Sequence, residues 1–420
     1  MLDRTIAPPV HPLEPAVLLP AVEHRLSHNI PAYVISAGDQ PVLKVEWIFK
    51  AGKSLEEAPG AAYFLAHMLK SGTQELTAHQ IAEYLAQFGA SLSVTTHLDY
   101  SSLTLHTLTK FAPQLLPWVT RLIWESTLPV EELETQRDKK RQSLQIDLQK
   151  TSYLGSVALR QNIFGTNHAY GQSLSLDQVD ALTKEDLHKH HLKYHRNSIM
   201  LVLSGQVTDE HLSLLSNALQ NAPEGEAPTP TPLGDIPSPS QQQIVKEGVQ
   251  ATLRIGQITI PKTHPDFHKL RIANELYGGY FGARLMQNIR EDKGLTYGIY
   301  STIAHLEMAS YLTIGADVKK ENVDLALQEI KNEMSRLQVE LVPAEELERV
   351  KAHLAGKFMQ QISSPFAQAD VFKALHFFNL DQSYYQDLFD TIQNFSTQDL
   401  LETAAQYLNW DNMSIVIAGA

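Results

Sequence analysis

Residues 182–207, LTKEDLHKHHLKYHRNSIMLVLSGQV, and residues 395–420, FSTQDLLETAAQYLNWDNMSIVIAGA, spell one design twice. Leu187 matches Leu400 and Tyr194 matches Tyr407, each pair 213 positions apart, and Gly205 matches Gly419 at 214. Upstream, Glu131-Glu132-Leu133 matches Glu345-Glu346-Leu347, again at 214. A constant offset across separate segments indicates duplication of a whole unit and restricts the chain to two copies of one fold. In each copy Thr183 or Ser396 reads as the N-cap of a helix, followed by an apolar strand that ends near glycine. Length agrees, because 420 residues exceed what one core serves and suit two domains of about 200.

The junction is NAPEGEAPTPTPLGDIPSPSQQQ, residues 221–243, with six prolines and almost no large apolar residue. Such a stretch cannot bury enough surface to fold and reads as an extended linker. The expected domains are therefore 1–220 and 244–420. Residues 42–51 and 251–260 read as strands. Residues 90–109 form a hairpin turning at Leu98-Asp99, and residues 296–318 a second one turning near Glu307. Helical patterns follow at 111–125, 131–151, 321–337 and 343–361. The expected class is α+β: two homologous domains, each a mainly antiparallel sheet covered by helices on one face.

Composition removes several functions. A net charge of −13 leaves no basic excess for nucleic acid. With no cysteine, disulfides, thiolate metal sites and cysteine nucleophiles are excluded. The beginning, MLDRTIAPPVHPLEP, lacks an apolar signal core, and no run of 18 apolar residues occurs. The expectation is a soluble protein without a membrane span. It is cytoplasmic if numbering starts at the native N-terminus, and periplasmic if a signal peptide was removed.

The stretch GAAYFLAHMLKSGT, residues 60–73, resembles the zinc helix of the insulinase/pitrilysin family, which includes mitochondrial processing peptidase. That family carries H-x-x-E-H, and Gly60, Ala62, Phe64, Leu65, His67, Met68, Gly72 and Thr73 fit its surroundings. The repeat and linker also match the family's design, so the resemblance runs from about residue 20 to the end. The chemistry needs two histidines four apart on one helical face, a glutamate base and a distal glutamate ligand. Here the first histidine is Tyr63 and the base is Ala66. The distal position, 76 beyond His67, is Ser143; Gln142 is no better, and Asp147 lies one helical turn further. One ligand of three survives, and alanine accepts no proton. The resemblance thus implies a degenerate site (Tyr63, Ala66, His67, Ser143) with no metal bound by this chain. Zinc is expected on a partner subunit. The plainer reading of His67 is a helical histidine hydrogen-bonded within the old site.

The second half holds GGYFGARLMQNIREDKGLTYGIYS, residues 278–301. It is similar to the subunit of two-subunit family members that supplies an Arg-x6-Tyr pair, here Arg290 and Tyr297. The resemblance implies that arginine holds a substrate carbonyl or carboxylate and tyrosine donates to the oxyanion, both acting in trans. Alternatively, Arg290 pairs with Glu291 or Asp292 and Tyr297 is an ordinary strand residue. Gly278, Gly279 and Gly282 read as a flexible loop; no lysine–serine/threonine step follows that would make it a phosphate loop. Residues Ser91, Leu92, Ser93, Val94 and Thr95 match the family's edge strand, which binds extended peptide by adding it to the sheet. An interior strand is the alternative.

Two histidine groups stand apart. His191 and His195 are four apart in LHKHHLKYH, a spacing able to chelate metal, though a solvated face explains the cluster equally. His97 and His106, on the two arms of the first hairpin, are possible cross-strand neighbours.

Together these residues point to a non-catalytic, peptidase-like subunit. It would pair with a homologous H-x-x-E-H-bearing chain, or with itself, as a clamshell around an extended peptide. A scaffold without a part in catalysis is the alternative, and a self-sufficient metallopeptidase with rearranged ligands is a third.

Overall fold

In the computed structural model, which describes residues 18–225 and 227–419, the two copies form two sheets of matching strand order. The segment MLDRTIAPPVHPLEP lies outside the described residues. The first half supplies β1 (Val22–Arg25), β2 (Pro31–Ser36), β3 (Val42–Phe49), β4 (Ser91–Thr96), β5 (Ser101–Leu108) and β6 (Ile199–Gly205). Their order is β1-β2-β6-β3-β5-β4, antiparallel except between β2 and β6. The second half supplies β7 (Gln241–Ile244), β8 (Gln250–Thr259), β9 (Thr296–His305), β10 (Ser310–Lys319) and β11 (Ser414–Ala418). Their order is β7-β11-β8-β10-β9, with only β7 and β11 parallel. Without β1, the two sheets correspond strand for strand.

The helices of the first half are α1 (Ala61–Met68), α2 (Ala78–Gln87), α3 (Ala112–Glu125), α4 (Val130–Asp147), α5 (Thr151–Phe164), α6 (Leu176–Ala181), α7 (Lys184–His191) and α8 (Asp209–Ala218). Those of the second are α9 (Phe267–Asn274), α10 (Val323–Val339), α11 (Ala344–Gln361), α12 (Pro365–His376), α13 (Ser383–Asn394) and α14 (Thr397–Tyr407). Thr183 and Ser396 cap α7 and α14 in reciprocal boxes with Asp186 and Asp399, which satisfies backbone donors that each helix start leaves open.

Each sheet packs one face on its own helices. Leu43, Val45, Trp47 and Phe49 of β3 join Phe64 and Leu65 of α1 in the first core. Leu253 and Ile255 of β8 join Leu276 and Phe358 in the second. The opposite faces are covered reciprocally. Helix α5 of the first half lies on the second sheet, where Leu159 and Ile163 share a cluster with Val416. Helix α12 of the second half lies on the first sheet, where Ala369 joins Ile35, Ile48 and Val202. This exchange explains a break in what reads as one helix over 131–151. The chain extends at Lys150 (φ −91°, ψ 123°), ending α4 on its own half and starting α5 on the other.

Between the halves, residues 222–240 carry no regular element among those described, and β7 begins at Gln241, inside the proline-rich segment. Among the described residues no helix is long and apolar enough to cross a membrane.

Candidate functional site

Helix α1 starts at Gly60, whose φ of +95° suits glycine. The Glu56 carboxylate accepts from the Gly60 and Ala62 N–H groups at 3.0 Å each, so the helix start is capped from outside. Phe64, Leu65 and Met68 bury the inner stripe. On the remaining face the His67 Nδ1–H donates to the Tyr63 carbonyl at 2.8 Å, and the two rings meet with centroids 4.2 Å apart, tilted by 38°. Burial pushes the Tyr63 hydroxyl above its ordinary range. Lys140 of α4 places its ammonium 4.4 Å from the centre of the Tyr63 ring, a cation–π contact.

This donor set does not fit zinc. Three protein ligands and an open position are needed, yet Ala66 offers no donor and is wholly buried. Among the described residues no group of three or more His, Asp or Glu side chains could hold a metal ion. Ser143 stands exposed, while α4 turns Leu133, Arg137, Lys140 and Leu144 inward at helical spacing. The group facing Tyr63 from α4 is thus Lys140, a residue that spacing to a distal glutamate passes over. The i, i+4, i+7, i+11 run from Leu133 to Leu144 was available in the sequence to find it.

Strand β4 lies beside this helix and, among the described residues, pairs only with β5, so it is an edge strand and not an interior one. Ser91, Ser93 and Thr95 are exposed, whereas Leu92 is buried and Val94 half-buried. Thr96 Oγ1 donates to the Ala62 carbonyl at 3.2 Å, joining strand to helix. Lys70 Nζ donates to the Leu92 carbonyl at 3.1 Å.

The second half builds a different constellation. Two π-helical turns, Glu275–Gly279 and Met286–Asp292, flank a loop that carries Phe281. Arg284 holds Glu346 of α11 through a bidentate pair at 2.8 and 2.9 Å. Asn288 donates to Glu333 and Glu329 of α10 at 2.7 and 3.1 Å. These anchors fix the segment while leaving Arg290 free of them. Its guanidinium sits 4.8 Å from the Phe281 ring and 5.3 Å from the Tyr297 ring. Among the described residues Arg290 forms no ion pair, so the alternative partners Glu291 and Asp292 are not used. Tyr297, second residue of edge strand β9, is 91% exposed, and Phe281 is 64% exposed. A cavity of 570 Å³ opens here, lined by Tyr280, Phe281, Met286 and Tyr297 among others, none from the first half. The cavity beside Tyr63 is lined only by residues of the first half. Phe281 was missed from sequence; it stands in the same GGYFGAR stretch, but nothing in local spacing says that its ring meets Arg290.

The glycines here serve close packing and not looseness. A Cβ at Gly278 would meet Ser301 Cβ at 2.8 Å and Leu285 Cδ1 at 2.9 Å. At Gly279 it would meet Glu275 Oε2 at 2.6 Å.

The histidine groups are also corrected. His190, His191 and His195 are buried, not on a solvated face. His191 Nε2–H donates to the Ile123 carbonyl at 2.6 Å, and His195 Nδ1 accepts from the Asn197 N–H at 3.1 Å, so each is engaged locally and no chelating pair forms. His106 stands opposite Ser91, whereas His97 lies in the turn beyond β4, bonded to Tyr100. The two belong to opposite ends of the hairpin.

Comparison with known proteins agrees with this architecture. Residues 36–169 match the family described as insulinase (peptidase family M16), and residues 181–354 match the peptidase M16 inactive domain. The chain is 25% identical over 391 residues to the "Non-peptidase homolog YmxG" of Helicobacter pylori, covering 90% of this chain and 89% of that one. It is 24% identical over 320 residues to an "Uncharacterized zinc protease YmxG" of Bacillus subtilis, covering 73% and 76%. Among solved structures, a peptidase M16 inactive domain from Pseudomonas fluorescens shares the fold with a TM-score of 0.88 at 23% identity, over 95% of this chain and 98% of that one. A protease from Helicobacter pylori shares it with a TM-score of 0.85 at 18% identity, over 96% and 100%.

Proposed function

Because the chain belongs to the insulinase family, peptidase family M16, we propose that it is the non-catalytic member of a two-subunit metalloendopeptidase. A homologous partner carrying H-x-x-E-H holds the zinc, and this chain contributes Arg290 and Tyr297. The observation that carries this reading is the state of Arg290: its neighbours Arg284 and Asn288 are paired to carboxylates, while its own guanidinium lies between two exposed rings without one. A planar cation held by aromatic faces keeps its five N–H donors for a ligand. The exposed Tyr297 hydroxyl would donate to the oxyanion of a tetrahedral intermediate on the peptide carbonyl, a charge that exists only past the ground state, while zinc held by the partner would supply the activation of water. Peptide enters as an added strand along β4, Ser91 to Thr95, whose outer edge has no neighbour in the sheet among the described residues. The Tyr63, Ala66, His67 and Ser143 positions take no part in hydrolysis.

The test is reconstitution. This chain and an H-x-x-E-H protein from the same host are each expected to be inert alone and to cleave peptides when mixed. Tyr297→Phe and Arg290→Gln are expected to lower kcat of the mixture by about 100-fold with the assembly intact by size exclusion. Full turnover with both variants would leave the pair without a chemical task and support a scaffold.

A further inference from the structure

The cavity beside Tyr63 is rich in positive charge. It encloses 400 Å³ and is lined by Lys53, Lys140 and Arg160, with the amides of Gln161, Gln172 and Gln178 around them. Among the described residues none of the three cations forms an ion pair. The cavity's one carboxylate, Glu56, is committed to the N–H groups of Gly60 and Ala62. Lys53 and Lys140 repel each other across the concavity, offset in part by the Glu56 charge near Lys53 and the Asp147 charge near Lys140, and a half-buried ammonium loses hydration as well. Lys140 registers both effects: burial, then the nearby Lys53 charge, pull its pKa below the ordinary lysine value.

The duplicated half provides an internal comparison. Its cavity between α9, α11 and α12 measures 620 Å³ and also carries lysines. There, however, the buried Glu275 pairs with Lys357 at 3.1 Å and with His353 at 3.2 Å. Lys262 donates to the Ala374 carbonyl at 3.2 Å and lies over the Phe378 ring. The two cavities differ in their carboxylate: Glu275 pairs with a lysine and Glu56 with none, although among the described residues Lys262 and Arg271, which also line the second cavity, form no ion pair either.

We propose that the Lys53–Lys140–Arg160 cavity is a binding site for a small, multiply charged oxyanion, bearing either phosphoryl or carboxylate oxygens. Arg160 offers a fork of N–H donors suited to either group, and the two lysines supply mobile point charges. The amide N–H groups of Gln161 and Gln178 add donors, the Gln178 oxygen being held by the Ser175 N–H, while Gln172 Nε2 donates to the Asn167 carbonyl. In this chain, positive charge that a metal would supply to a peptidase comes from lysine and arginine, and the ligand is bound rather than hydrolysed. The proposal does not depend on pairing with another subunit, so it is read on the isolated full-length chain.

Titration calorimetry at low salt with inorganic pyrophosphate and with citrate tests it. At least one is expected to bind, more weakly as salt rises. Binding of pyrophosphate alone identifies a phosphoryl site, and binding of citrate alone identifies a carboxylate site. Lys140→Gln and Arg160→Gln are each expected to weaken binding about tenfold or more. Lys140→Arg, which keeps the charge, is expected to retain it, and Lys262→Gln to leave it unchanged. Circular dichroism confirms that each variant is folded. The proposal fails if neither anion binds at about 5 mM, if both Gln variants bind like the parent, or if Lys262→Gln abolishes binding.

Discussion

His190, His268 and His305 show how burial alone sets a residue's chemistry. Burial pulls His190 and His268 down to about 4 and His305 to about 3, below the 6.5 of an exposed imidazole. Each is therefore neutral in the folded chain at pH 5, while the unfolded chain binds a proton there. Stability from these residues is complete above pH 6.5 and declines as pH falls toward 4. Between pH 6.5 and 5, above the range of most carboxylates, urea denaturation is expected to lose up to about 1.4 kcal/mol per pH unit for each histidine. A flat profile across that window would contradict the burial. None of this is legible in LHKHHLKYH, where alternating charge and histidine suggest solvent. Ala66 and Tyr63 were different: their identity, set against a motif, says what chemistry the helix lacks, with no structure required.

At the level of elements, the segment 278–301 is held by packing that the sequence conceals. The first π-helical turn lies against β9 so closely that Gly278 has no room for a side chain. Gly278→Ala is expected to cost about 1–3 kcal/mol in urea denaturation, because backbone and side chain at Ser301 must both move. An unchanged midpoint would show that the turn has slack. The hairpins, by contrast, were plain from alternation, with turns at 97–100 and 306–309 where Leu98-Asp99 and Glu307 put them. The boundary between α4 and α5 was not, since both are helical and nothing local records that they serve different sheets.

Across the whole molecule, the halves are locked by a closed ring of charge. Lys44 and Glu46 of β3 meet Asp370 and Lys373 of α12, with Lys44–Glu46 at 3.1 Å, Lys44–Asp370 at 3.0 Å, Lys373–Glu46 at 2.5 Å and Lys373–Asp370 at 2.8 Å. Glu46→Gln would leave two poorly solvated ammonium groups sharing the more exposed Asp370. The expected loss is about 3 kcal/mol in urea denaturation. A loss well under about 1 kcal/mol would mean that solvent already screens the ring. The mirror contact, α5 on β8, uses Arg254 Nε donating to Ser156 Oγ at 3.2 Å and paired Thr151 and Thr252 hydroxyls at 2.9 Å.

The amino-acid order alone determined the duplication, the α+β class, the helix caps at Thr183 and Ser396 and the absence of a glutamate base. Each of these is local, or repeats at a fixed offset, and so is written in neighbouring residues. Tertiary structure decided which face each helix covers, that Lys44 and Glu46 are buried against another half, that Arg290 lies between Phe281 and Tyr297, and that Lys140 stands beside Tyr63. Those facts depend on contacts between residues far apart in the chain. A strand's polar positions read the same whether they meet water or a helix bearing the opposite charges.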